Sequence, residues 1–139
     1  MATVVSEWTR SLPTISAETK PFWDACRERK LIVQRCRKCE KFQTYYRSFC
    51  CHCWDRDLED VVASGRGTVW AATVTYQNQT PGWAELVPYV LAGVELEEGP
   101  KVMTNIINCD PESVRIGMKV KVTFVDATDE ITVPFFEPS

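Results

Sequence analysis

Apolar and polar positions change period along the chain, and the changes divide it into three stretches. Over residues 17–30, AETKPFWDACRERK, Phe22, Trp23 and Cys26 fall at i, i+1 and i+4 among charged residues, the spacing of one helix face. Pro21 stands near the start, where its missing N–H breaks no bond. Ser16 is placed to cap this helix, with Thr19 instead of a glutamate three residues on, so no full capping box forms. Leu31-Ile-Val33 predicts a short strand, and residues 1–16 show no period and read as a loose arm. From Val61 the period becomes two. Residues 67–77, GTVWAATVTYQ, set Val69, Ala71, Thr73 and Thr75 against Trp70, Ala72, Val74 and Tyr76, in residues that favour strands. A turn-rich loop, 78–83, leads to a second strand over 88–97, a tight Glu98-Gly99-Pro100 turn, and a third strand over 101–108. A connection over 110–117 precedes a fourth strand, Lys119–Asp126, which alternates strictly, and a fifth, 131–136. Five strands with a longer connection between the third and fourth fit a Greek-key barrel of the OB type.

Between helix and barrel lie Cys36-Arg-Lys-Cys39 and Cys50-Cys-His-Cys53, two CxxC units ten residues apart. Zinc takes four soft ligands at tetrahedral corners about 2.3 Å from each sulfur. One CxxC turn supplies two thiolates, and a hairpin bringing two such turns together completes the shell. Cys36, Cys39, Cys50 and Cys53 are therefore the expected ligands of one structural zinc with no vacant position. Cys51 would replace Cys50 only by changing CxxC to CxC, and His52 competes with four better-spaced thiolates. Iron in a rubredoxin-like site uses the same ligand set. The expected organisation is mainly β: an arm and helix over 1–30, a zinc ribbon over 31–60, and the barrel over 61–139.

Cys26 and Cys109 sit in apolar patterns and read as core. The single histidine, His52, lies inside the second knuckle, so no Ser/His/Asp set can form away from the metal, and there is no glycine-rich phosphate loop. Independent catalysis is poorly provided for. No run of about 18 apolar residues predicts a membrane span, and MATVVSEWTRSLPT does not read as a signal peptide. Seven cysteines in such a chain point to a reducing, cytoplasmic setting in which they serve metal.

Net charge is -3, unevenly spread. Arg27 to Arg47 holds eight basic residues against Glu28 and Glu40, whereas from Val61 onward five bases face ten acids. The asymmetry implies an anionic ligand or partner near the ribbon, with Arg35, Arg37, Lys38 and Arg47 as candidate contacts. The alternative is a solvated basic face. Trp83, in the loop after the first strand, is a candidate interface anchor or a barrel cap. Trp70 and Tyr76 could stack nucleobases as in single-strand-binding OB modules, but an acidic barrel is poorly suited to phosphates.

The order PFWDACRERKLIVQRCRKC, FCCHC, GRGTVWAATVTY, PYVLAGVELEEGPKV and IGMKVKVTF resembles the acyl-CoA-associated OB-fold proteins with a rubredoxin-like zinc ribbon, over residues 17–137. That resemblance implies a small accessory subunit paired with a thiolase-superfamily protein: a thiolase, as in benzoylsuccinyl-CoA cleavage during anaerobic toluene breakdown, or an aldolase that shortens steroid side chains. The partner would carry the catalysis, the small subunit would border the acyl-CoA channel, and a two-plus-two heterotetramer would be the simplest assembly. Tyr45-Tyr46, Cys51 and Trp54 depart from the family's usual residues without touching the ligand cysteines.

Overall fold

The computed structural model describes residues 8–139. Helix α1 spans Lys20–Arg27, shorter than the 17–30 expected, and both ends have local causes. Ser16 does not cap it. The Ser16 carbonyl accepts from the Lys20 N–H at 2.9 Å and its hydroxyl accepts from the Thr19 N–H at 3.2 Å, so 16–19 is a separate turn. Thr19 takes the N-cap position with no side-chain cap bond. At the other end Arg29 enters the left-handed region, φ 62°, and reverses the chain. Cys26 is fully buried, and burial pushes its thiol up to about 12, which fits core packing. Of the arm expected to be loose, residues 1–7 lie outside the described part. Trp8–Arg10 is packed: Thr9 Oγ1 donates to the Gly82 carbonyl at 2.8 Å, and the Arg10 guanidinium lies 3.8 Å from the Trp8 ring centre and 5.3 Å from that of Phe135.

The ribbon is a three-stranded antiparallel sheet in the order β2-β1-β3, with β1 Ile32–Cys36, β2 Phe42–Gln43 and β3 Leu58–Val62. β1 is longer than the Leu31–Val33 strand expected and ends on the first knuckle cysteine. β3, LEDVV, has no clean alternation and was not foreseen in the sequence; its acidic residues are there for cross-strand partners, Glu59 standing opposite Arg35.

The barrel closes in the order β4-β5-β6-β8-β7, with β4 Arg66–Thr75, β5 Tyr89–Leu96, β6 Lys101–Ile106, β7 Lys119–Asp126 and β8 Thr132–Pro138. All five predicted strands are present, the fourth with the expected bounds and the others shifted at an end by one or two residues. The alternation expected for β4 fails at one point, where a bulge falls between Val69 and Ala71. Trp70 is the extra residue, and it lets Val69 and Val74 pair with Val94 and Val90 on the inside. The core joins Val69, Val90, Val94, Leu96, Val120 and Phe136 to Leu31 and Val33 of the ribbon. Outside, Trp70 lies across Gly93: a Cβ there would stand 2.5 Å from the indole Nε1. A glycine inside a strand is destabilising by roughly 0.5–1 kcal/mol relative to alanine, and an aromatic ring laid over it recovers packing.

The closure is uneven. β4 and β5 pair over eight registered positions, but β6 meets β8, in parallel, only at Ile106 and Phe136. Below that point the strands part, and α1 and the ribbon fill the gap. Thr44 Oγ1 donates to the Lys101 carbonyl at 2.7 Å, and the Met103 N–H donates to Tyr45 Oη at 2.9 Å, so the loop after β2 caps the open edge of β6.

Gly93→Ala should destabilise the fold by about 1–3 kcal/mol, the usual cost of overpacking, in urea unfolding. The same change in a Trp70→Ala background should cost much less, because the clash is with the indole alone. A second expectation concerns pH. Arg29 holds the Asp126 carboxyl with two hydrogen bonds of 2.7 and 2.8 Å, which with Thr132 bring it down to about 2. A depressed carboxyl stabilises fully above its ordinary value near 4 and loses that contribution as pH falls towards 2. Both side chains are about half exposed, which limits the effect to under about 1 kcal/mol. Asp126→Asn should therefore lower the melting temperature slightly at pH 7 and by much less at pH 2.

Candidate metal centre and adjoining cavity

The two knuckles are built alike. In the first, the Glu40 N–H donates to the Cys36 carbonyl at 2.8 Å; in the second, the Trp54 N–H donates to the Cys50 carbonyl at 2.9 Å. Glu40 and Trp54, each following the second cysteine of its pair, both adopt left-handed backbone, φ 65° and 69°. Trp54 is held there by stacking on Phe49, ring centres 5.3 Å apart and 7° from parallel. N–H groups point at sulfur in both turns: Cys39 to Cys36 Sγ at 3.5 Å, His52 to Cys50 Sγ at 3.3 Å.

The four sulfurs of Cys36, Cys39, Cys50 and Cys53 lie within 4.8 Å of one another. Across the knuckles, Cys36 and Cys53 are 3.5 Å apart and Cys39 and Cys50 are 3.6 Å apart. A tetrahedral ion with metal–sulfur bonds of about 2.3 Å requires sulfurs about 3.8 Å apart, so the set fits one metal ion. Burial works against ionising Cys50, but the N–H groups of Cys53 and His52, with neighbouring thiols, bring it down to about 6. The Asp55 N–H favours the Cys53 thiolate, yet burial and its three cysteine neighbours push that thiol up to about 12. A metal ion binding this set displaces the protons its thiols still carry. Cys51 is exposed and outside the cluster. The His52 ring sits with Nε2 3.3 Å from the Phe42 carbonyl.

Sequence reasoning missed what holds the second knuckle in place. Gln34 on β1 and Gln43 on β2 are each 3 % exposed, and Gln43 Nε2 donates to Gln34 Oε1 at 2.8 Å. Gln34 Nε2 donates to the Arg47 carbonyl at 2.6 Å, and Gln34 Oε1 accepts from the Arg47 N–H at 3.0 Å. Gln43 donates to the Phe49 carbonyl at 3.1 Å and accepts from the Cys51 N–H at 2.8 Å. These two amides therefore carry the backbone polar groups of the 44–51 loop, which has no regular structure to satisfy them. The signal available was slight: Gln34 directly follows the apolar run Leu31–Val33, and Gln43 directly follows Phe42.

The basic candidates do not form an open cationic face. Arg35 pairs with Glu59 at 3.0 Å and Glu40 at 3.7 Å, Arg37 with Asp57 at 2.7 Å, and Lys38 with Asp55 at 3.8 Å. The Arg47 guanidinium donates to the carbonyls of Tyr45 and Thr44. The charge count to Arg47 stopped short of Asp55, Asp57 and Glu59, which supply the partners. Trp83 is half-buried, its ring centre 5.2 Å from that of Tyr89.

Trp83 and Tyr89 help to line a cavity of about 550 Å³ at the gap between β6 and β8. Phe22 and Trp23 of α1, Val33 of β1 and Phe135 of β8 are among its other walls. The lining is overwhelmingly apolar, so the space suits a hydrocarbon group.

Cys39→Ser should lose the metal, measured by elemental analysis, and with it soluble folded protein, because metal binding at such sites is folding free energy. Cys51→Ser should keep one metal per chain. Gln43→Leu leaves the Cys51 N–H and the Phe49 carbonyl without this partner, a loss of about 1–3 kcal/mol per buried group. It should therefore speed metal transfer to a chelator while all four ligands remain.

Comparison with known proteins agrees with this construction. Residues 23–59 match the family described as "ChsH2, rubredoxin-like zinc ribbon domain" and residues 60–125 match "ChsH2, C-terminal OB-fold domain". A "DUF35 domain-containing scaffold protein" of Methanothermobacter thermautotrophicus is 33% identical over 115 residues, 81% of this chain and 86% of that one. A "Probable enoyl-CoA hydratase alpha subunit" of Thermomonospora curvata is 33% identical over 130 residues, 94% of this chain, and this chain spans 40% of that relative's length. Among solved structures, a chain of the "Ltp2-ChsH2(DUF35) aldolase" superposes with a TM-score of 0.80 at 33% identity, covering 91% of this chain and 98% of that one. With its four-cysteine ribbon joined to a closed five-stranded barrel, the chain belongs to the DUF35 family in its ChsH2 form.

Proposed function

We propose that the chain is a zinc-bearing, non-catalytic subunit of a cytoplasmic enzyme whose larger subunit has the thiolase-superfamily fold and cleaves a carbon–carbon bond in an acyl-CoA. The observation that carries this reading is the match to nearly the whole of one chain of the Ltp2-ChsH2(DUF35) aldolase. The likeness to an aldolase subunit favours aldol over thiolytic cleavage in the partner. Zinc is the proposed ion because four cysteine sulfurs at these spacings close a tetrahedral shell and leave no position for substrate. The ion would then hold the ribbon against the barrel and take no part in bond breaking. The cavity between α1, the ribbon and β8 offers apolar enclosure to the hydrocarbon part of the acyl-CoA, the group on which partner subunits of this kind would differ. A two-plus-two assembly is proposed because a dimeric partner presents two equivalent surfaces.

Tagged chain expressed in its own host should purify with a thiolase-fold protein at a mass of two plus two subunits, measured by light scattering. The purified chain alone should leave acyl-CoA substrates intact, and adding the partner should start cleavage. Turnover by the isolated chain at the rate of the complex would overturn the non-catalytic assignment, and a chain that purifies alone would overturn the assembly.

A further inference from the structure

The outer face of β4, β5 and β6 carries a group of exposed apolar side chains centred on Trp70, which lies outside the cavity, while Tyr45, Leu91 and Met103 also reach the cavity's edge. Trp70 is 49% exposed and Met103 69%, with Leu91 at 39% between their strands and Tyr45 of the ribbon at 59% beside them. The register sets Gly93 directly opposite Met103, and the Trp70 indole lies across Gly93. The result is a shallow cleft with Trp70 as one wall, Met103 as the other and Gly93 in the floor. The tryptophan is fixed before anything binds, because the missing Cβ at Gly93 defines its seat, so docking against it freezes little additional side-chain motion. Tryptophans held in this way dominate protein–protein contacts.

Charge decides what kind of surface would cover it. Lys101 stands over Trp70, its ammonium 4.8 Å from the ring centre. Glu95 is its registered neighbour across β5 and β6, yet no ion pair joins Lys101 to a carboxylate among the described residues, in contrast to Arg35, Arg37 and Lys38. A cation held at the rim of an apolar cleft is complementary to an apolar side chain flanked by an acid.

We propose that the Trp70–Gly93–Met103 cleft is the surface by which this chain docks its thiolase-fold partner, which inserts an apolar side chain between Trp70 and Met103 and sets a carboxylate against Lys101. This rests on the partner proposed above. It places the contact on the barrel face and not on Arg35, Arg37 and Lys38 of the ribbon, whose charges are already paired.

The experiment uses the full chain with its metal and the thiolase-fold protein that purifies with it. Met103→Asp should weaken the dissociation constant at least tenfold by calorimetry. Lys101→Met should weaken it and flatten its dependence on salt, since an exposed pair is screened. Both positions are solvent-facing, so circular dichroism and metal content should be unchanged; Trp70→Ala serves as a third variant, read only if it keeps its fold. Dissociation constants within twofold of wild type for both Met103→Asp and Lys101→Met would overturn the docking face while leaving the partnership standing. If no thiolase-fold protein purifies with the chain, both proposals fall. If the chain alone forms a dimer that Met103→Asp disperses, the face belongs to a second copy and the proposal is wrong.

Discussion

The architecture depends on how little holds β6 to β8. A single registered pair, Ile106 with Phe136, closes that side of the barrel, and the strands diverge beyond it. An open seam in a small barrel exposes both core and backbone, so something must be packed into it. Here α1 and the ribbon fill it, which explains why Leu31 and Val33 belong to the same core cluster as Val90 and Phe136. The ribbon is thus a structural part of the barrel wall, and the cavity is the space that this filling leaves over. The metal cluster sits far along the sequence from β8, yet it organises the segment on which the seam relies.

What the sequence disclosed followed from periods and spacings. Strict alternation in Lys119–Asp126 located β7 to the residue, and two CxxC units identified four sulfurs that the fold brings within 4.8 Å. The failures were of a different kind. The helix ran long on paper because nothing in AETKPFWDACRERK marks Arg29 as the left-handed reversal. The bulge at Trp70 is invisible in GTVWAATV, where both strand faces carry small or apolar residues and a slip of one position leaves the pattern intact. Gln34 and Gln43 are buried polar residues on short ribbon strands, and their reason, an irregular loop needing hydrogen bonds, lies elsewhere in the chain.

The charge reading shows a related limit. Counting bases over Arg27–Arg47 described composition correctly, but an electrostatic surface is made by what is left after pairing. Asp55 and Asp57 follow the second knuckle, and Glu59 returns on β3 beside the strand that carries Arg35. Antiparallel pairing brings the two charge runs together, as separate windows along the sequence cannot show. Lys101, one of five bases in an acidic half, is the more informative cation because it stands over Trp70 with no ion pair to a carboxylate among the described residues.

The loop between β2 and the second knuckle has a protective consequence. Its residues Thr44 and Tyr45 occupy the backbone groups of β6 that face the seam, and the glutamine pair and the metal ligands keep that loop in place. A chain that cannot load its ion would release this cover and present a bare strand edge beside an open apolar interior. That combination invites edge-to-edge self-association into β-rich aggregates. Metal supply would then govern the solubility of newly made chains as well as their shape, with starvation appearing first as insoluble protein.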